Sequence, residues 1–291
     1  MTLQTTINSL PRPFNQESFS LTQKGIYDSE DTDVYLNDSK DFAFLFPIPI
    51  VDYFAYVPRV KSLGLSTYKR TTAVTLRRFE KIKNYFDNGQ KVLEIGSGAG
   101  EFLSHVSQLF PDTRIASLEI DQNTKTAREK LPGLHAYASF QEMGASQETF
   151  DLICMFHVLE HIIDPKEFLN NCLASLAPMG ILIIEVPSLD DPLISLYESQ
   201  AYRAFYFQRQ HPYIYTARSL CRLLAHENIS PEHVLPHQRY GLENHLNWLA
   251  KEKPGGNEAF RRIFKHLEDE YLGSLEQSEL SDSVIIIAQR K

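Results

Sequence analysis

Gly96, Gly98 and Gly100 stand at alternate positions directly after the apolar run Val92-Leu93-Glu94-Ile95 and directly before Glu101-Phe102-Leu103, where a helical pattern opens. A strand, a tight glycine turn and a helix in that order bring backbone N–H groups and a helix N-terminus close to a ligand, because glycine has no Cβ to block the approach. Glu94 lies within the strand, and Glu119 closes the next apolar run, Arg114 to Leu118. An acidic side chain at that distance from the glycines accepts both hydroxyls of a ribose, with Ile120 beside it on the face of the base. The layout suits an adenosine compound held at Glu94, Gly96, Ser97, Gly98 and Gly100.

Position 101 narrows the choice of compound. A dinucleotide fingerprint places its third glycine there, for close packing beside a pyrophosphate, whereas this chain has Glu101. A carboxylate at that helix start repels a pyrophosphate but tolerates a phosphate-free, cationic sulfonium compound. S-adenosylmethionine fits this turn better than NAD.

Histidines supply the other chemistry. His157 follows the apolar run Asp151 to Phe156 and is itself followed by Glu160 and His161; His211 stands in His211-Pro212-Tyr213-Ile214-Tyr215. Transfer of a methyl group to a hydroxyl needs an aligned nucleophile and, near neutral pH, a base within hydrogen-bond reach. His157, His161 and His211 are the candidate bases, His157 being placed for cofactor contact as well, and Tyr213 and Tyr215 are candidate walls for a ring-shaped acceptor. No carboxylate pair or His cluster has metal-ligand spacing, so metal-independent chemistry is expected.

Periodicity places helices near 66–87, 99–110, 123–131 and 165–176, and strands near 91–96, 114–119, 134–138, 151–156 and 181–186. Short strands alternating with helices imply right-handed crossovers and a doubly wound parallel sheet with its ligand at the carboxyl edge. A helix to about Asn228, a strand near 233–240 and a buried strand at Ser283 to Ala288 follow. Residues 1–65 read as an irregular arm or lid, 66–240 with 283–291 as the core, and 241–282 as a helical insertion, a possible substrate cap. In that insertion and just before it, Arg239, Asn244 and His245 are candidate substrate contacts, against the alternative of an amphipathic helix with Trp248 in its core.

Residues 90–187 resemble the core of the class I S-adenosylmethionine-dependent methyltransferases, in the branch of ubiquinone-pathway O-methyltransferases and sugar C-methyltransferases. The glycine turn, Phe150 to Phe156 with His157-Val158-Leu159-Glu160-His161, Asp164-Pro165, and Leu176-Ala177-Pro178-Met179-Gly180 through Pro187 carry the likeness. The segment His211 to Thr216 with Ser219, Leu220, Leu223 and Leu224 extends it to about residue 230. The resemblance implies a Rossmann-like α/β fold with a mostly parallel seven-stranded sheet, the last strand antiparallel beside the fifth. It also places Ser139 and Phe140 at the adenine edge. Met179 stands where the family has Gly, and the Ser139-Phe140 segment lacks the family's usual Asp.

A net charge of -8 over 291 residues opposes a nucleic-acid partner, since phosphate backbones are met by basic faces. Cys154, Cys172 and Cys221 form no ligand series and read as reduced thiols of a cytoplasmic protein. The start Met1 to Thr6 has no leader pattern, and Pro47, Pro49, Asp52 and Pro58 interrupt the apolar stretch 42–60, so no membrane association is expected. The expected activity is methyl transfer to a sugar, nucleotide-sugar or natural-product hydroxyl, by a chain compatible with a homodimer. The alternatives are C-methylation of a sugar, a nucleotide-dependent oxidoreductase and a non-catalytic adenosine-binding scaffold. The lack of cysteine in the first 90 residues, where sugar C-methyltransferases of this branch often carry a zinc segment, favours O-methylation.

Overall fold

Apolar runs that lack the alternation of a half-exposed strand need cover on both faces, and Val92-Leu93-Glu94-Ile95 is buried at all four positions. The computed structural model describes residues 2–51, 67–121 and 124–290. Its strands are β1 (Phe19–Gln23), β2 (Asp33–Asn37), β3 (Phe42–Phe46), β4 (Lys91–Ile95), β5 (Arg114–Leu118) and β6 (His135–Tyr137), followed by β7 (Phe150–Phe156), β8 (Leu176–Pro187), β9 (Tyr213–Tyr215), β10 (Ile229–His237) and β11 (Ser283–Arg290). Seven of them form a mostly parallel sheet in the order β10-β11-β8-β7-β4-β5-β6, and β1-β2-β3-β9 form a second sheet.

Parallel register decides what meets at the carboxyl edge of the large sheet. Ile95 pairs with Leu118 and with Met155, and Phe156 pairs with Glu185. The residues that follow, Gly96, Glu119 and His157, therefore come off one edge together with Glu185. The helix Glu101–Leu109 buries Phe102, Leu103 and Val106, and the helix Pro165–Ala174 buries Phe168, Leu169 and Cys172. Asp164 caps the latter by accepting the N–H of Glu167 at 3.0 Å, with Pro165 at its first turn.

Contacts divide the chain into two compact units. One comprises Ser66–Glu185, Leu224–His233 and Ile286–Lys291; the other comprises Met1–Leu65, Val186–Leu223 and Val234–Ile285. The second unit holds the four-stranded sheet, around a cluster of Ile26, Val34, Ala43, Leu45, Phe207 and Ile214. It also holds the helices Leu242–Lys251, Glu258–Phe264 and Glu268–Gln277, which make up most of 241–282. Trp248 packs there with Leu193 and Tyr202.

Several expectations need correction. The segment 1–65 is not an irregular arm over its described part: β1, β2 and β3 pair antiparallel, and β3 pairs with β9. The reason is cover, since Phe42 stacks on Phe14 at 3.8 Å and lies 5.5 Å from Tyr215. Residues 52–65, with the latter part of the apolar stretch 42–60, lie outside the described residues. The strand expected near 233–240 begins at Ile229, and its Pro231 and Pro236 are tolerated because β10 is the sheet's edge strand. The helix expected over 123–131 is described as Lys125–Arg128, its expected start lying outside the described residues. Among the described residues no helix is long and apolar enough to cross a membrane.

Candidate cofactor and active site

The turn after β4 is held from both sides. Gly96 donates its N–H to the carbonyl of Leu118 at 2.8 Å, and a Cβ on Gly96 would collide with Cγ2 of Val158. Gly98 has φ +52°, and a Cβ built there meets nothing within 4 Å, so the backbone faces open space. Gly100 caps the helix Glu101–Leu109 and packs against Leu131, a structural duty more than a ligand contact.

Glu119 is locked beside that turn. Its Oε2 accepts the N–H of Gly98 at 2.7 Å and its Oε1 accepts the N–H of Asp121 at 2.7 Å. Arg128 donates to the carbonyl of Gly98 at 2.9 Å, closing the loop from behind. Ile120, next to Glu119, is 52% exposed, an apolar face presented to solvent at the strand end.

Glu94 is only 5% exposed, and its Oε2 has no hydrogen-bond partner among the described residues. Burial pushes its carboxyl up to about 8, Arg78 acts against the rise, and Glu119 and Glu101 add to it. The buried Oγ of Ser97 is likewise unpartnered. A cradle open at Gly98, with buried acceptor atoms unmet on its wall and carboxylates gathered around it, fits a ligand bringing hydroxyl donors and positive charge. Ser139 accepts the N–H of Glu142 at 3.1 Å as a helix cap, and Phe140 packs edge-on against Phe168 at 5.3 Å. Both have structural duties where the resemblance placed adenine contacts.

His157 follows β7 in a left-handed conformation, φ +57°, with its N–H on the carbonyl of Glu185 at 2.9 Å. Its Nδ1 lies 3.2 Å from Oε1 of Glu160, and its Nε2 lies 3.1 Å from Oε1 of Glu185. The other oxygen of Glu185 is hydrogen-bonded by Arg78, whose guanidinium lies 4.3 Å over the Phe156 ring. Arg78 and Glu185 escaped the reading of the sequence. The available signal was an acidic residue inside the otherwise apolar run Ile181-Leu182-Ile183-Ile184-Glu185-Val186. His161 lies in the same loop, with its N–H on the carbonyl of Val158 at 3.0 Å.

The remaining candidates belong to the other unit. His211 sits in the loop before β9, its N–H on the carbonyl of Gln208 at 2.9 Å. Tyr213 and Tyr215 are fully buried in β9 among Phe42 and Phe44, which makes them core rather than ligand walls. Arg239 is bound to Asp282 at 2.7 Å, and Asn244 donates to the carbonyl of Gly255 at 3.2 Å. His245 is buried against Tyr271, 2.6 Å from its hydroxyl, and burial pushes its imidazole down to about 4. Asn244 and His245 tie the insertion together, and Arg239, just before it, is bound to its last residue.

A doubly wound sheet with a glycine turn after its first parallel strand and an acidic residue after the next is the class I S-adenosylmethionine-dependent methyltransferase architecture. Residues 68–234, more than half of the chain, match the family described as "Methyltransferase domain", and the chain belongs to that family. The ubiquinone biosynthesis O-methyltransferase of Parvibaculum lavamentivorans is 32% identical over 99 residues, covering 32% of this chain and 39% of that protein. The chain spans 39% to 46% of the length of such curated relatives. In fold it is similar to a SAM-dependent methyltransferase from Archaeoglobus fulgidus, with TM-score 0.53, 19% identity, and 82% and 100% of the two chains covered. It is also similar in fold to the plantazolicin methyltransferase BpumL in complex with SAH, with TM-score 0.51, 12% identity, and 81% and 90% covered.

Proposed function

We propose that this chain transfers the methyl group of S-adenosylmethionine to a hydroxyl of a small polar acceptor, a sugar, nucleotide-sugar or natural product. The arrangement of Glu119 and Gly98 carries the reading: a carboxylate pinned by two backbone N–H groups beside an open glycine turn. When bound, the cofactor supplies a sulfonium-activated methyl carbon, ready for in-line displacement by the acceptor oxygen.

The chain's residues do the rest. Glu119 accepts the ribose hydroxyls, Ile120 takes the base, and the backbone from Gly96 to Gly98 lies against the ligand. Glu94 presents a buried carboxyl oxygen, unmet among the described residues, on the wall of the cradle, and Glu101 opens the helix beyond the turn. The proton of the acceptor hydroxyl goes to a histidine, His157, His161 or His211. Both ring nitrogens of His157 face carboxylates, which fix the orientation of its ring.

The reading is tested by incubating the protein with cofactor labelled in its methyl group and a panel of sugars, sugar nucleotides and phenols, then locating the label by mass spectrometry. An O-methyl product supports it. Label on carbon, or none on any acceptor despite cofactor binding, contradicts it.

A further inference from the structure

The unit that carries the four-stranded sheet contains a cavity of about 610 Å³ lined wholly by its own residues. Small-molecule sites run from roughly 300 to 1,000 Å³, so the space is ligand-sized. Val234, Pro236, Leu280 and Val284 give it an apolar lining, while Ser188, Asp190, Thr216 and Ser281 add polar groups.

The polar groups differ in what they have left to offer. Asp41 lines the cavity but is engaged by Asn37 at 2.7 Å, Arg222 at 3.2 Å and Arg218 at 3.5 Å. Asp190 forms no ion pair among the described residues; Ser188 Oγ donates to its Oδ2 at 3.3 Å. Burial pushes the Asp190 carboxyl up, the Ser188 bond acts against the rise, and Glu279 and Asp41 add to it. Thr216 Oγ1 already accepts the N–H of Ser219 at 3.3 Å, which leaves its proton to donate. Ser281 Oγ donates to the carbonyl of Ser283 at 2.7 Å, which leaves its oxygen to accept. Lys40 and Arg218 stand against Asp41, Asp190 and Glu279 in the lining, so no strong field of one sign selects an ion.

We propose that this cavity is a binding site for a neutral polyhydroxylated ring such as a pyranose. Asp190 and Ser281 accept its hydroxyls, Thr216 donates to a ring or hydroxyl oxygen, and the apolar lining takes its C–H face. The proposal stands independently of methyl transfer.

Cys221 lines the same cavity and is half-buried, whereas Cys154 and Cys172 are fully buried. Alkylation by iodoacetamide, at alkaline pH because burial pushes the Cys221 thiol up, therefore reports on occupancy. Glucose, mannose, rhamnose and N-acetylglucosamine are the probes. A sugar at ten times its Kd is expected to slow Cys221 alkylation about tenfold. Asp190→Ala and Ser281→Ala should each abolish that protection with the melting temperature and binding of S-adenosylhomocysteine unchanged. The proposal is overturned if no sugar protects at about 100 mM, enough to fill a millimolar site, or if inorganic phosphate or a simple amine protects where the sugars do not. Because S-adenosylhomocysteine binding is followed in the same samples, a failure here is distinguishable from failure of the methyltransferase reading.

Discussion

The Glu119 carboxylate accepts the backbone N–H of Gly98 at 2.7 Å, across 21 positions of sequence, and so couples the end of β5 to the turn after β4. That single bond orients the acidic group before any ligand arrives. A hydrogen bond to a charged group is worth about 1.5–3 kcal/mol. Glu119→Ala is therefore expected to weaken S-adenosylhomocysteine binding about ten- to hundredfold by calorimetry, with Glu119→Gln in between.

Gly96 and Gly98 separate stability from affinity. Gly96→Ala drives a methyl group into Val158 and should lower the melting temperature. Gly98→Ala meets no protein atom, so its methyl group enters the space assigned to the ligand. Its main expected effect is a loss of at least about tenfold in cofactor affinity, beyond a backbone cost of about 1 kcal/mol for the positive φ.

Glu94 makes the apo protein sensitive to pH. Its carboxyl rises from 4.5 to about 8 on folding, so between those values the folded state holds a proton that the unfolded state has lost. Stability then falls as pH rises through that window, by up to about 1.4 kcal/mol per unit. Asp191, pushed up to about 7 by burial and by Asp282, acts in the same direction. Chemical denaturation at several pH values, compared between the native chain and Glu94→Gln, isolates the Glu94 part: the variant should show the shallower slope. Equal slopes would remove Glu94 from the account.

The buried chain from Arg78 through Glu185 to His157 predicts a division among variants. Removing one partner of a buried ion pair costs about 3–5 kcal/mol, so Glu185→Ala should lose stability on that scale, and Glu185→Gln less. Whichever of His157, His161 and His211 is the base, its replacement by Ala should lower kcat about 10²–10⁴-fold with KM little changed. If none of the three changes slows turnover, the base is not one of these histidines.

Met179 stands at φ +64° and is 85% exposed, so its side chain gains little packing for a strained backbone. Met179→Gly is expected to raise stability by about 1 kcal/mol in urea denaturation.

What could be read from the chain beforehand was local. Strand, glycine turn, helix and the acidic residue after the next strand lie within 29 residues, 91 to 119, and each obeys short-range chemistry. The second sheet was not legible, because β3 carries Phe42-Ala43-Phe44-Leu45 without alternation and its partner β9 lies about 170 positions away. The same distance effect hid the duties of the substrate candidates. Arg239 is claimed by Asp282, 43 positions on, and His245 by Tyr271, 26 positions on. Arg78 and Glu185, 107 positions apart, meet only once β7 and β8 are paired beside the helix Thr67–Ile82.

The most direct test of the central claim is a calorimetric titration of the chain with S-adenosylhomocysteine, alongside NAD and the Glu119→Ala variant. One saturable site for S-adenosylhomocysteine, weakened in the variant and without response to NAD, is the expected result. No heat with S-adenosylhomocysteine, or saturable binding of NAD in its place, would contradict the account.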